Sequence, residues 1–268
     1  MQNDILDEIL AVANQAAREA QEVQLDGWKN GTLVRAKGDP HDLVTAADVE
    51  AERRIASVIH ERFPEHNFRG EEAGDAGRKS DWVWIVDPID GTTNFARGLA
   101  YFSVSIAAVY QGRTVVGLVA NPVLGETFTA VEGRGAFLNG EKLHGPRAAS
   151  FDEALMITGF YYDRGKNIAQ TLSMIGRWYE RGFMGLRRLG SAALDLCQLA
   201  AGRADGYFEI GLNAWDFAAG EFIARQAGVL VTDGEGRSLP HEKTTILAGT
   251  PEVWRTLKED WDIVRNSP

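Results

Sequence analysis

Cysteine is almost absent from this chain. Cys197 is the only one in 268 residues, so no intrachain disulfide can form and a reducing compartment, the cytoplasm, is the expected location. No apolar run approaches the ~18 residues of a membrane helix. The acidic start Met1-Gln2-Asn3-Asp4 lacks a signal-peptide layout, and no membrane contact is expected. Positive charge is in deficit: 28 Lys and Arg against 38 Asp and Glu leave a formal charge of −10, which argues against an extensive nucleic-acid surface. A phosphate ester stays open as a ligand, because bound cations would invert the local field. There is no Gly-x-x-x-x-Gly-Lys-Ser/Thr loop, and Gly133-Arg134-Gly135 lacks a third glycine and opens a hairpin. A nucleotidase P-loop is therefore excluded and a dinucleotide site is not expected, and neither repeats nor low-complexity segments occur.

What is present suits a globular α/β chain, with 44% apolar and 25% charged residues. Ile5, Leu6, Ile9, Leu10, Ala13, Ala16, Ala17 and Ala20 recur at helical spacing. The polar stretch from Asp26 to Pro40 reads as a mobile hairpin or loop. Thr45 and Asp48 form a capping-box start for a second helix carrying Ile55, Val58, Ile59 and Phe63 on one face. Strands are expected at His66–Phe68, Val83–Val86, Phe102–Ile106 and Thr114–Val119, with a hairpin turning at Asn139-Gly140. After Gly145–Ser150, helices around Ile168–Tyr179, Ala193–Ala200 and from Phe217 alternate with strands Ala204–Ile210 and Val229–Val231. The division expected is an N-terminal lobe, 1–145, and a C-terminal lobe, 146–268, packed as one globular unit with a site in the crevice between them.

The chemistry concentrates at Trp84-Ile85-Val86-Asp87-Pro88-Ile89-Asp90-Gly91-Thr92-Thr93-Asn94-Phe95. An apolar strand runs into two carboxylates three residues apart, then into Gly-Thr-Thr. Asp87 and Asp90 straddle a Pro-containing turn, so both can reach one cation with the Ile89 carbonyl between them. The segment reads equally as a capped turn, since Asp-Pro and Asp-Gly are turn signals. Gly91-Thr92-Thr93 would open a helix whose free N–H groups suit an anion. Glu71, in Gly70-Glu71-Glu72, follows a strand and is either a solvated residue or a third ligand. Asp216, before the Phe217 helix, is a natural N-cap that could also ligate.

These pieces together resemble the inositol monophosphatase family of Mg²⁺-dependent, lithium-sensitive phosphatases, especially its bacterial inositol-1-monophosphatases. The resemblance rests on Asp42-Leu43-Val44-Thr45 with Asp48, Gly70-Glu71-Glu72, Trp84 to Phe95, Gly190-Ser191-Ala192-Ala193-Leu194-Asp195, and Trp215-Asp216-Phe217-Ala218-Ala219-Gly220. It implies an α/β (α+β) fold, a layered α-β-α-β-α sandwich of the inositol monophosphatase and fructose-1,6-bisphosphatase type. It implies two to three Mg²⁺ per site: Glu71, Asp87 and the Ile89 carbonyl on one, Asp87, Asp90 and Asp216 on a second, and Glu71 helping a weaker third. Thr92, near Asp48, is implied to position and help deprotonate the attacking water, with Glu71, Thr92 and Asp48 as the catalytic set and inversion at phosphorus. The phosphate is implied to rest on Gly91, Thr92 and Thr93 beside Glu71, Ile89, Asp90 and Asp216. Gly190, Ser191, Ala192 and Glu209 match positions that meet inositol hydroxyls, Arg187 is expected to reach the substrate, and Lys37 lies in the loop that closes over the site. The family is commonly dimeric, so a homodimer is expected.

The implied reaction is hydrolysis of myo-inositol 1-phosphate to myo-inositol and phosphate. Histidinol phosphate, fructose 1,6-bisphosphate and 3′-phosphoadenosine 5′-phosphate are the alternatives within the family. A protein-binding partner retaining the fold is the alternative outside enzymology. Two departures from the family pattern stand out: Ala227-Gly228-Val229 in place of Ala-Gly-Gly, and a loop Tyr161-Tyr162-Asp163-Arg164 with no counterpart.

Overall fold

The structure is a computed structural model that describes residues 3–36, 43–147, 150–160 and 165–267. Helix α1 (Asn3–Asn30) is longer than expected from its apolar stripe. Residues 26–30, expected in a loop, continue the helix because Val23 and Trp28 pack on a cluster of Ala47, Ile89, Phe95 and Phe102. Gly27 permits that approach, since a Cβ there would stand 3.0 Å from the Phe95 ring. Strand β1 (Val34–Ala36) pairs antiparallel with β2 (Leu43–Thr45). Lys37 and Asp42 lie outside the described residues, as does 161–164. Helix α2 (Ala46–Arg62) opens on the expected capping box: the Thr45 hydroxyl accepts from the Ala47 and Asp48 N–H groups, and Asp48 accepts from the Thr45 N–H at 2.8 Å.

There follow β3 (Asn67–Gly70), β4 (Gly74–Asp75), β5 (Trp82–Asp90), the short helix α3 (Thr92–Ala96), β6 (Ser103–Tyr110), β7 (Arg113–Asn121), β8 (Glu126–Val131), β9 (Gly135–Leu138) and β10 (Glu141–Lys142). They build an eight-stranded sheet in the order β10-β9-β8-β7-β6-β5-β3-β4. The rest of the chain supplies β11 (Leu155–Thr158), α4 (Lys166–Arg181), β12 (Gly185–Arg187), α5 (Ala192–Ala200), β13 (Gly206–Leu212), α6 (Ala214–Gln226), β14 (Leu230–Asp233), β15 (Thr244–Gly249) and α7 (Pro251–Arg265). Its strands form a five-stranded sheet ordered β12-β11-β13-β15-β14.

Strand alternation sorts the side chains into layers. Trp84 and Val86 of β5 face Ile9, Ala13 and Ile55 of α1 and α2, whereas Ile85 between them joins Leu194, Phe217 and Phe222 of α5 and α6. On the second sheet, Tyr207, Ile246 and Ala248 face that same α5–α6 layer, while Phe208 and Leu247 meet Met174, Trp178, Leu257 and Trp261 of α4 and α7. Burying each of these large side chains stabilises the fold by roughly 1.5–3 kcal/mol. The result is the expected α-β-α-β-α sandwich, with α5 and α6 as its central layer. The C-terminal ends of β5 and β13, the start of α3 and the first turns of α5 and α6 line one cavity.

Candidate active site

Two strands end beside this cavity in irregular pairing. Pairing between β5 and β6 shifts between Asp87 and Asp90, and pairing between β13 and β15 shifts between Glu209 and Leu212. The Asp-Pro-Ile-Asp segment is thus a bulged strand end and not the turn expected from its sequence. A bulge places extra residues against fewer partners and re-aims their side chains. Here it brings Asp87, Ile89 and Asp90 onto the same cavity wall. The cavity, of about 130 Å³, is also lined by Glu71, Gly91, Thr92, Thr93, Gly190, Ser191, Ala192, Glu209 and Asp216.

Each acidic side chain is held by local bonds. The Asp87 carboxylate accepts the Ile89 N–H at 2.9 Å. Asp90 Oδ2 accepts the Ser191 hydroxyl at 2.5 Å and the Ala193 N–H at 2.8 Å, which ties β5 to α5. Asp216 lies within the first turn of α6, behind the N-cap Asn213, because the helix begins at Ala214. The expectation that Asp216 is itself the N-cap is therefore corrected; it reaches back to accept the Asn213 N–H at 2.7 Å. Glu71 follows β3 directly, and its N–H donates to the Val86 carbonyl at 3.2 Å, beside Asp87. Thr92 Oγ1 donates to the Ile89 carbonyl at 3.0 Å and lies 3.3 Å from Asp48 Oδ1. Asp48 does not line the cavity; Thr92 stands between it and the cavity. Gly91 takes φ +94° at the N-cap of α3, where a Cβ would come within 3.0 Å of the Gly190 carbonyl.

Burial dominates the electrostatics. It drives the Asp90 carboxyl up to about 7, against hydrogen bonds from Ser191 and Ala193 and with the Glu209 and Glu71 charges adding to the rise. Asp48 also moves to about 7, by burial against the Thr45 hydrogen bonds. Asp87 and Asp216 are pushed well above the carboxylate range by burial and then by neighbouring carboxylates, Glu71 first in each case. Arg188 is the only cationic side chain among the described lining residues.

Arg187 does not line the cavity. Arg187, at the end of β12, is exposed, donates to its neighbour's Leu186 carbonyl and faces an open groove with Tyr101, Leu124 and Glu126. Successive residues of an extended segment point to opposite sides, so it is Arg188 that lines the cavity. Ser191 is 1% exposed, and its hydroxyl is engaged by Asp90 and by the Leu194 N–H at the α5 N-cap.

The matching family model, described as the inositol monophosphatase family, covers residues 5–263. The chain belongs to the inositol monophosphatase family. A relative named Nus factor SuhB from Salmonella typhimurium is 41% identical, covering 93% of this chain and 94% of its own. The crystal structure of the extragenic suppressor protein suhB from Bartonella henselae superposes with a TM-score of 0.89 at 36% identity, over 95% of this chain and 98% of that one. An IMPase structure from Thermotoga maritima gives 0.85 at 34% identity, over 96% and 99%. The fold is the phosphatase fold of that family.

Does this inositol monophosphatase-family cavity suit a divalent cation? Among the described residues, no three His, Cys, Asp or Glu side chains stand in a ready-made metal cluster. Yet Glu71, Asp87, Asp90 and Asp216 share one cavity, and burial, joined by the neighbouring carboxylates, raises the proton affinity of the three aspartates. The chemistry of the donors decides the fit. All-oxygen donors with a backbone carbonyl fit a hard cation. Sequence reasoning missed Gly159, Phe160, Arg188, Gly211, Leu212 and Asn213 in the lining. The glycines ending the β11 and β13 apolar runs were the only available signal.

Proposed function

We propose that this chain is a Mg²⁺-dependent phosphatase that hydrolyses inositol monophosphates by metal-activated water. The carrying observation is one cavity lined both by Glu71, Asp87, Asp90, Asp216 and Ile89 and by the Gly91-Thr92-Thr93 helix start. A cavity lined by carboxylates alone would repel a phosphate dianion, so the phosphate and the cations are expected together. Bound Mg²⁺ would supply charge neutralisation and acidify a water. Glu71, Asp87 and the Ile89 carbonyl are the donors for one ion, and Asp87, Asp90 and Asp216 for another.

The chain's own groups do the rest. The α3 N-terminus has no side-chain cap, so its N–H groups are available to phosphate oxygens. The Thr92 hydroxyl orients the attacking water, with Asp48 behind it as proton acceptor. Glu209 accepts the Tyr207 hydroxyl at 2.5 Å on Oε2, leaving Oε1 for a substrate hydroxyl. A homodimer in the cytoplasm, lithium sensitivity and a two-lobe division near residue 145 belong to the same reading.

The test is phosphate release with Mg²⁺ or EDTA from myo-inositol 1-phosphate, histidinol phosphate, fructose 1,6-bisphosphate and 3′-phosphoadenosine 5′-phosphate. Fastest release from the inositol ester, abolished by EDTA, is expected; no release from any ester would overturn the reading. The name Nus factor carried by the 41%-identical relative supports a second reading, a binding role in which the fold is retained. Absence of turnover would favour it.

A further inference from the structure

Arg188 lines the same cavity as the carboxylates. It makes no ion pair or hydrogen bond with another described residue. Its guanidinium lies over Gly190, where a Cβ would meet Arg188 Nη1 at 2.3 Å. Across the cavity, Glu209 is 8% exposed and its carboxylate lies over Gly159, where a Cβ would come within 2.0–2.2 Å of both carboxylate oxygens. The Arg188 charge reaches that carboxylate, opposing the rise that burial imposes on it.

We propose that Arg188 is the donor half of a leaving-group site whose acceptor half is Glu209, with Gly159 as the clearance that keeps the acceptor open. This rests on the phosphatase reading and names the leaving group it selects. Arg188 offers only donors and ionised Glu209 only acceptors. A neutral leaving group with two neighbouring hydroxyls satisfies both, one hydroxyl donating to Glu209 and the next accepting from Arg188. A leaving group carrying a second phosphate would satisfy only the Arg188 half, because its charge repels the Glu209 carboxylate and offers it no donor. A leaving group without hydroxyls loses both contacts. Gly159 matters because any side chain there would displace the Glu209 carboxylate.

The readout is the ratio of kcat/KM for myo-inositol 1-phosphate to that for phenyl phosphate, which has no hydroxyl to bind. Arg188→Met keeps the apolar stem and removes every donor. It should lower that ratio by about 10- to 100-fold, the value of a hydrogen bond to a charged group, mainly through KM for the inositol ester. Arg188→Lys should recover part of the ratio, and Gly159→Ala should lower it as Arg188→Met does. Inhibition by added myo-inositol should weaken in Arg188→Met relative to inhibition by inorganic phosphate. A ratio within twofold of wild type in Arg188→Met overturns the proposal, whether both activities are kept or both fall together. Release of phosphate from neither ester by the wild-type protein would instead overturn the phosphatase reading and this one with it.

Discussion

The Ser191 hydroxyl donates to Asp90 Oδ2 at 2.5 Å, joining residues 101 positions apart. One side chain therefore caps α5 and fixes the orientation of a candidate metal ligand. Ser191→Ala should destabilise the protein by about 1–2 kcal/mol, combining a lost cap with a lost hydrogen bond to a buried carboxyl. It should also weaken Mg²⁺ binding, because Asp90 keeps only the Ala193 N–H. Urea melts with and without Mg²⁺ check both effects. An unchanged midpoint in both would show that the Asp90–Ser191 contact has no energetic role.

Asp87 stands among Glu71, Asp90 and Asp216, whose charges raise its proton affinity. Asp87→Asn should abolish Mg²⁺-dependent hydrolysis and raise the metal-free melting temperature, since a repelling buried carboxyl is removed. Calorimetry in EDTA, paired with phosphate release in Mg²⁺, measures both. Near-normal turnover by the folded variant would rule out Asp87 as a bridging ligand.

Thr92→Ala leaves every carboxylate in place and removes only the hydroxyl beside Asp48 and the Ile89 carbonyl. If that hydroxyl orients the nucleophile, kcat should fall by about 10²-fold or more with a modest change in KM. Steady-state kinetics separate the two; a raised KM with kcat preserved would make Thr92 a phosphate contact.

His66 stacks between Phe63 and Trp82, at centroid distances of 4.5 and 5.2 Å, and its Nδ1 accepts the Trp84 indole N–H at 3.1 Å. Burial holds its pKa at about 4, below the ordinary value of 6.5. The folded state then refuses a proton that the unfolded chain accepts, so stability rises with pH between about 4 and 6.5 and is level above. The ring is only partly buried, so its share is on the order of 1 kcal/mol after discounting for solvent screening. In EDTA, the loss of urea stability from pH 6.5 to pH 4.5 should be smaller in His66→Phe than in wild type. Equal losses would place the acid sensitivity elsewhere.

Much of the site was legible because its parts are local. The capping box at Thr45 and Asp48 spans three residues, so residue type and spacing alone exposed it, whereas the contiguous run from Asp87 to Thr93 read equally as a capped turn until the family resemblance was added. Helix ends were less legible where packing overrode propensity. Residues 26–30 stay helical because Trp28 has a cluster to cover, and α6 starts at Ala214 because Asn213 supplies the cap.

The sequence alone determined the donor set: carboxylates, a Gly-Thr-Thr helix start, no cysteine chemistry and alternating α and β segments. These depend on residue chemistry and on periodicities that act within about four residues. The tertiary structure alone decided which distant groups share the cavity. Parallel pairing of β11 with β13 sets Gly159 under Glu209, and the extended step after β12 turns Arg188 inward and Arg187 out. Asp48 reaches Thr92 across 44 residues only because α2 packs on β5. Such contacts are set by burial of apolar faces far apart in the chain, and local pattern carries no record of which faces meet.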